Sequence, residues 1–282
     1  MPRYAMAIDL NYCIGCYTCQ VACKDEHVGN EFPPISKSQP TFGQFWMSIE
    51  EREMVYSPSH IKVAYIATPC QHCNDPSCMK AAGDRAIYKR SDGIVIIDPE
   101  KAKGQKKLLD ACPYGNIFWN EEENIPQKCT FCAHLLDDGW DRPRCVQACP
   151  VSTIHFGDLD DPESDISRFL SKNQGGEPLY PEKGTKPTVR YVGLPKPHMA
   201  GSVIFGDRDE CAKAVNVTLT GPEGNRLKTR TDFFGDFAFD GIQKGKYTVQ
   251  FDAAGYARQT KEVEMTADEL YIGEIIMSAK KN

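Results

Sequence analysis

Cysteine placement constrains this chain more than any other feature. Of thirteen cysteines in 282 residues, twelve lie between Cys13 and Cys149, and Cys211 stands alone beyond them. Cys13, Cys16, Cys19 and Cys23 follow the spacing C-x2-C-x2-C-x3-C. Three thiolates at this spacing wrap a tight loop around one iron–sulfur cube, each sulfur meeting a different iron. The fourth, at the start of a helix, points away toward a neighbouring cube. An odd count, with cysteines only two residues apart, argues against a disulfide framework. Structural zinc sites draw on two separated C-x2-C knuckles rather than a triple.

Three further groups follow. Cys70, Cys73 and Cys78 form CQHCNDPSC; Cys129, Cys132, Cys145 and Cys149 lie in CTFC and CVQACP; Cys112 sits alone in ACPYG. Internal comparison explains the solitary Cys112. A shift of 89 residues lays Ile8 and Asp9 on Ile97 and Asp98, Gly15 on Gly104, and Cys23 on Cys112, so the later segment is a degenerate copy of the first motif. Under that shift Cys13, Cys16 and Cys19 fall on Ala102, Gln105 and Leu108. A shift of 59 lays Cys70 and Cys73 on Cys129 and Cys132, and Ala82 takes the place corresponding to Cys149.

If each motif gives three ligands to its own cube and the fourth to its partner's, the missing ligands at Ala82, Ala102, Gln105 and Leu108 all belonged to one cube. The remaining twelve cysteines then divide into three sets: Cys13, Cys16, Cys19 and Cys149; Cys23, Cys129, Cys132 and Cys145; Cys70, Cys73, Cys78 and Cys112. The expected cofactors are three 4Fe-4S clusters. Electron tunnelling falls steeply with distance, so a row of three conducts only if contiguous, and the deleted site is expected at one end.

Around these motifs the expected fold class is α+β, a ferredoxin-like double cluster module in residues 1–175, followed by an all-β sandwich or barrel in 187–282. GEPLYPEKGTK supplies a Gly- and Pro-rich linker at 176–186. Short strands are expected at Tyr4–Ile8, Ile61–Ile66, Ala86–Tyr88, Ile94–Ile97 and Ile117–Trp119, with helices after Cys19, over Lys101–Cys112 and over Asp161–Lys172. The lysines of the second helix, Lys101, Lys103, Lys106 and Lys107, read as a solvated face. In the last region VNVTLTG, GDFAFDGI, KYTVQFDAAGY, KEVEMT and ELYIGEIIM alternate as sandwich strands do.

Other features point to few further activities. A net charge of -6 makes nucleic acid a poor partner. No apolar run is long enough for a membrane helix, so no direct membrane insertion is expected. The opening MPRYAMAIDLNYC has neither an apolar signal core nor a twin-arginine leader, which predicts a cytoplasmic chain unless a partner's signal exports it. His72, inside CQHC, reads as packing or a hydrogen bond to cluster sulfur; the other histidines lack paired ligand spacing. Cys211 reads as a free thiol. There is no recognisable catalytic acid–base set or phosphate loop.

PCQHCNDPSC, DGIVIID, ACPYG and KCTFCAHLLDDG resemble the ferredoxin-like subunits that accompany molybdopterin oxidoreductases of the dimethyl-sulfoxide-reductase family. The missing cluster and TDFFGDFAFDGIQKGKYTVQFDAAGY, which is similar to transthyretin-like or carboxypeptidase-regulatory domains, resemble one branch of it, the small subunits of pyrogallol–phloroglucinol transhydroxylases. The resemblance implies a heterodimer whose large catalytic subunit holds molybdenum on two pterin guanine dinucleotides and transfers or removes hydroxyl groups on polyhydroxylated aromatics. It implies an electron-transfer role for this chain, no catalytic residue of its own, and the first set, Cys13, Cys16, Cys19 and Cys149, nearest the pterin. Two other readings are the electron wire of a respiratory reductase and a scaffold whose clusters stay redox-silent.

Overall fold

The strand Tyr4–Asp9 is buried almost throughout because it lies between two others. Ile154–Asp158 pairs with it antiparallel and Val189–Val192 pairs parallel. Its alternating faces do different work. Ala5 and Ala7 present small side chains to Ile166 of the helix Asp165–Lys172, whereas Met6 and Ile8 enter a core with Trp46, Phe131 and Tyr191. The helix starts at Ser164, whose hydroxyl accepts the Ser167 N–H at 3.2 Å.

This is a computed structural model, and it describes residues 1–58 and 60–280. The chain divides into two units, Met1–Glu51 with Tyr65–Leu194, and Arg52–Ala64 with Pro195–Asn282. The first carries the cysteine loops on short helices and hairpins. One hairpin joins Ile87–Lys89 to Val95–Ile97, and another joins Phe118–Asn120 to Ile125–Gln127. The first-motif helix spans Thr18–His27.

Two expectations change. No helix forms over Lys101–Cys112: the stretch is a series of turns with a single 3₁₀ turn at Lys106–Leu108. Gly104 sits at φ +74 there, and Ala102 and Leu108 are drawn fully into the interior, which a solvated helix could not combine. The Gly- and Pro-rich segment at 176–186 does not end the first unit. Glu177 exchanges two 2.7 Å backbone hydrogen bonds with Tyr191, and the strand Val189–Val192 completes the central sheet. The division falls between Leu194 and Pro195.

The second unit is a sandwich of two four-stranded sheets. In one, His198–Phe205 pairs antiparallel with Asp236–Asp240 and Glu210–Cys211 and parallel with Glu269–Met277. In the other the order is Arg226–Arg230, Asn216–Thr220, Gly245–Asp252, Gln259–Met265. Alternation puts Val217, Leu219, Phe237, Phe239, Val249 and Phe251 between the sheets.

Candidate iron–sulfur sites

In the first motif, tight turns aim neighbouring cysteines inward. Gly15 sits at φ +64, and a Cβ there would lie 2.5 Å from the Tyr65 ring, so only glycine lets the loop close against it. Tyr17, in the left-handed region at φ 59, then starts the helix. The loop at Cys129 repeats the device: Cys132, at φ 49, starts the helix Ala133–Asp137.

The twelve cysteines gather in three places. Cys13, Cys16, Cys19 and Cys149 line one cavity, with about 420 Å³ of space free of atoms, whose other walls include Ile8, Ile14, Ile49 and Val151. Cys70, Cys73, Cys78 and Cys112 line a second, of about 340 Å³. Cys23, Cys129, Cys132 and Cys145 are each buried, between 5% and 7% exposed.

Electrostatics sorts them the same way. Burial pushes the thiols of Cys19, Cys78 and Cys132 up to about 12 and those of Cys73 and Cys129 up to about 11, and raises Cys23 and Cys145 well above the ordinary value. Neighbouring thiolates add to this. Cys13 and Cys149 act on Cys19; Cys129 and Cys132 act on Cys23; Cys70, Cys112 and Cys73 act on Cys78. Between groups, Cys19 acts on Cys23 and Cys145, and Cys70 acts on Cys129. The group containing Cys23 therefore stands between the other two.

Hydrogen bonds to sulfur recur. The Phe131 N–H donates to Cys129 Sγ and the Thr153 N–H to Cys149 Sγ, both at 3.4 Å. Thr18 donates its hydroxyl and N–H to Cys16, holding that exposed thiol below its ordinary value. Such donors favour thiolate, the form that binds iron.

Among the described residues no three His, Cys, Asp or Glu side chains converge as they would on a single metal ion. A four-iron cube needs a wider frame, since each thiolate binds a different iron, and the two four-cysteine cavities suit it. Residues 61–159 match the model of a 4Fe-4S dicluster domain, and 199–275 match that of a carboxypeptidase regulatory-like domain. The pyrogallol hydroxytransferase small subunit of Pelobacter acidigallici is 44% identical over 262 residues, covering 90% of this chain and 92% of that one. The chain belongs to the iron–sulfur subunits of molybdopterin oxidoreductases. More distant members of the family include a sulfite dehydrogenase subunit of Allochromatium vinosum, 34% identical with 71% of this chain and 86% of that one covered. Another is a tetrathionate reductase subunit of Salmonella typhimurium, 36% identical with 68% and 73% covered.

As such a subunit, the chain is the electron-transfer component of an enzyme complex. The four positions onto which the internal repeat lays cysteines also lie near one another. Ala102 and Leu108, both fully buried, pack with Ala86, Ile87, Val95, Ile97 and Ile117, and Ala82 lies against this cluster beside Cys78 and Cys112. Gln105 completes the set: its Oε1 accepts the Gly83 N–H at 2.9 Å, one residue from Ala82. Aliphatic side chains and one amide fill this small core.

The iron–sulfur subunit keeps two basic groups that the cysteine pattern does not reveal. Lys128 is 3% exposed and lines the cavity of Cys70, Cys73, Cys78 and Cys112. Lys89 donates to the Cys73 carbonyl at 2.8 Å. In KCTFC the lysine was visible beside Cys129, but nothing in the sequence separates a buried lysine from a surface one. His72 is fully buried, its Nδ1 accepting the Val95 N–H at 3.0 Å, which leaves the proton on Nε2 without an acceptor among the described residues. That orphan suits the cluster-sulfur reading of His72. Cys211 is exposed on a strand of the second unit. Among the described residues, no helix is long and apolar enough to cross a membrane.

Proposed function

We propose that this chain holds three 4Fe-4S clusters and serves a molybdenum-bearing large subunit, as a heterodimer, in moving hydroxyl groups on polyhydroxylated aromatics. The ligand sets are Cys13, Cys16, Cys19 and Cys149; Cys23, Cys129, Cys132 and Cys145; Cys70, Cys73, Cys78 and Cys112. When bound, such clusters supply one-electron carriers. The observation carrying this reading is the single row of three four-cysteine groups, whose far end abuts the apolar plug of Ala82, Ala102 and Leu108.

The chain's own residues set how the row is used. At the first set the surface is open: Cys16 is exposed, and Ile14 and Val151, which line that cavity, are 61% and 39% exposed. An exposed apolar rim beside a redox site supports docking of the large subunit there. Beyond the third set, Leu108 and its neighbours replace the carrier that a partner at that end would need. This favours internal redox service over the wire of a respiratory chain. The similarity to a pyrogallol hydroxytransferase small subunit supports the aromatic substrate class.

The complex, purified without oxygen, tests the reading. About twelve irons per copy of this chain are expected from four-iron cubes, with molybdenum in a copurifying larger polypeptide and turnover of pyrogallol. Far less iron would end the cluster assignment, and turnover confined to inorganic oxyanions would end the substrate assignment. The same reading places the complex in the cytoplasm, and cell fractionation checks that.

A further inference from the structure

Lys128 is the only charged side chain among the described walls of the Cys70–Cys73–Cys78–Cys112 cavity. Its Nζ donates to the Val95 and Cys129 carbonyls, the latter at 3.0 Å, and no carboxylate among the described residues pairs with it. A buried ammonium without an anion is costly, because carbonyl dipoles replace only part of the lost hydration. Four thiolates around a four-iron cube carry net negative charge, which gains one further unit on reduction. The missing counter-ion of Lys128 is therefore the loaded site itself, and the attraction is stronger in the reduced state.

Lys128 draws down two thiols of this group, Cys78 and Cys112, but only one of the middle group, Cys129, and the first group lacks such a charge. The described walls of the Cys13–Cys16–Cys19–Cys149 cavity contain no charged side chain. Near the middle group, Arg144 draws the Cys132 thiol down while Glu26 pushes it up, and these two pair at 3.2 Å, so their effects oppose. Beside the third group stands a second ammonium, Lys89, bonded to the carbonyls of Cys73 at 2.8 Å and His72 at 3.3 Å.

We propose that Lys128 makes the Cys70–Cys73–Cys78–Cys112 site the most easily reduced of the three, so that the plugged end of the row is its electron reservoir. This rests on the ligand sets proposed above. An electron taken from the middle site oxidises that site as it reduces this one, and no proton is required. Holding it at a dead end keeps it within the complex, available to the large subunit through the same row.

The test is a stepwise dithionite titration of the purified complex, followed by EPR, with dithionite as the one-electron donor to each site. Cys112→Ser identifies the signal of the third site through its altered spectrum. In the wild type that signal is expected first. In Lys128→Gln its reduction constant should fall at least tenfold, about 59 mV for a one-electron couple, while the other two signals move less. Lys128→Arg, which keeps the charge, should stay within about threefold of the wild type. Should Lys128→Gln lose iron from that site, Lys89→Gln is read instead, with a smaller shift of the same signal in the same direction. An unmoved signal, an equal shift of all three, or a third-site signal that appears last overturns the proposal. A wild type without three reducible signals fails the ligand assignment instead.

Discussion

Burial is the dominant influence on the raised thiols such as Cys19, Cys73 and Cys129, and it has a measurable cost when iron is absent. A thiol whose pKa rises on folding holds its proton more tightly in the folded than in the unfolded chain. Its contribution is fully present below the ordinary value of 9.0 and is lost as pH climbs toward the folded values, about 11 for Cys73 and Cys129 and about 12 for Cys19. Iron-free, reduced protein is thus expected to melt at progressively lower temperature as pH rises through that window. Iron-loaded protein, whose ligands carry no proton, should lack that dependence over the same range, as parallel thermal scans would reveal. A second residue-scale effect concerns Tyr191. Its hydroxyl donates to the Ala67 carbonyl at 2.9 Å and accepts from Gln71 Nε2 at 3.1 Å, in a fully buried setting. Tyr191→Phe strands both partners, and urea denaturation should register a loss of about 1–3 kcal/mol.

At the scale of elements, the cysteine loops were legible because each triple is local: spacing alone determines which sulfurs can face one centre. Leu108 shows where local reading stopped. The spacing of Lys101–Cys112 suggests an amphipathic helix, yet the segment is a series of turns that packs into a small apolar core. Contacts with Ile87, Val95 and Ile117, distant in sequence, outweigh helix propensity there. Leu108→Ala would leave a cavity in that cluster, and the expected destabilisation is about 2–5 kcal/mol by chemical denaturation. A loss below about 0.5 kcal/mol would show the plug to be loosely packed. Likewise the strand Val189–Val192 lies beyond a Gly- and Pro-rich stretch that looks like a boundary, and only its pairing with Tyr4–Asp9 assigns it to the first unit.

At the scale of the whole chain, the proposed loss of a fourth site can be tested by restoring its ligands. Ala82, Ala102, Gln105 and Leu108 come together around one small core although 26 residues separate the first from the last. Replacing all four by cysteine should raise the iron of the reconstituted complex by about four per chain, one further cube. Unchanged iron, with the other clusters intact, would mean that the four positions no longer frame a cube. The same convergence bears on the competing uses of the row: an exit to an outside carrier would need a redox centre where Leu108 now packs.

By itself, the sequence set out the expected three cysteine sets and the expected loss of a fourth, as an arithmetic of spacing and internal repeat, and the alternating strands of the second unit. These are periodic or short-range properties, written within a few residues of one another. Tertiary structure decided that Lys128 is buried with no carboxylate paired to it among the described residues, that Lys101–Cys112 is a packed series of turns rather than a helix, and that the first unit ends at Leu194. Each depends on side chains or strands far apart along the chain. Desolvation and packing are set by what surrounds a residue in space, and a lysine next to a cysteine reads the same in sequence whether water or a sealed cavity lies beyond it.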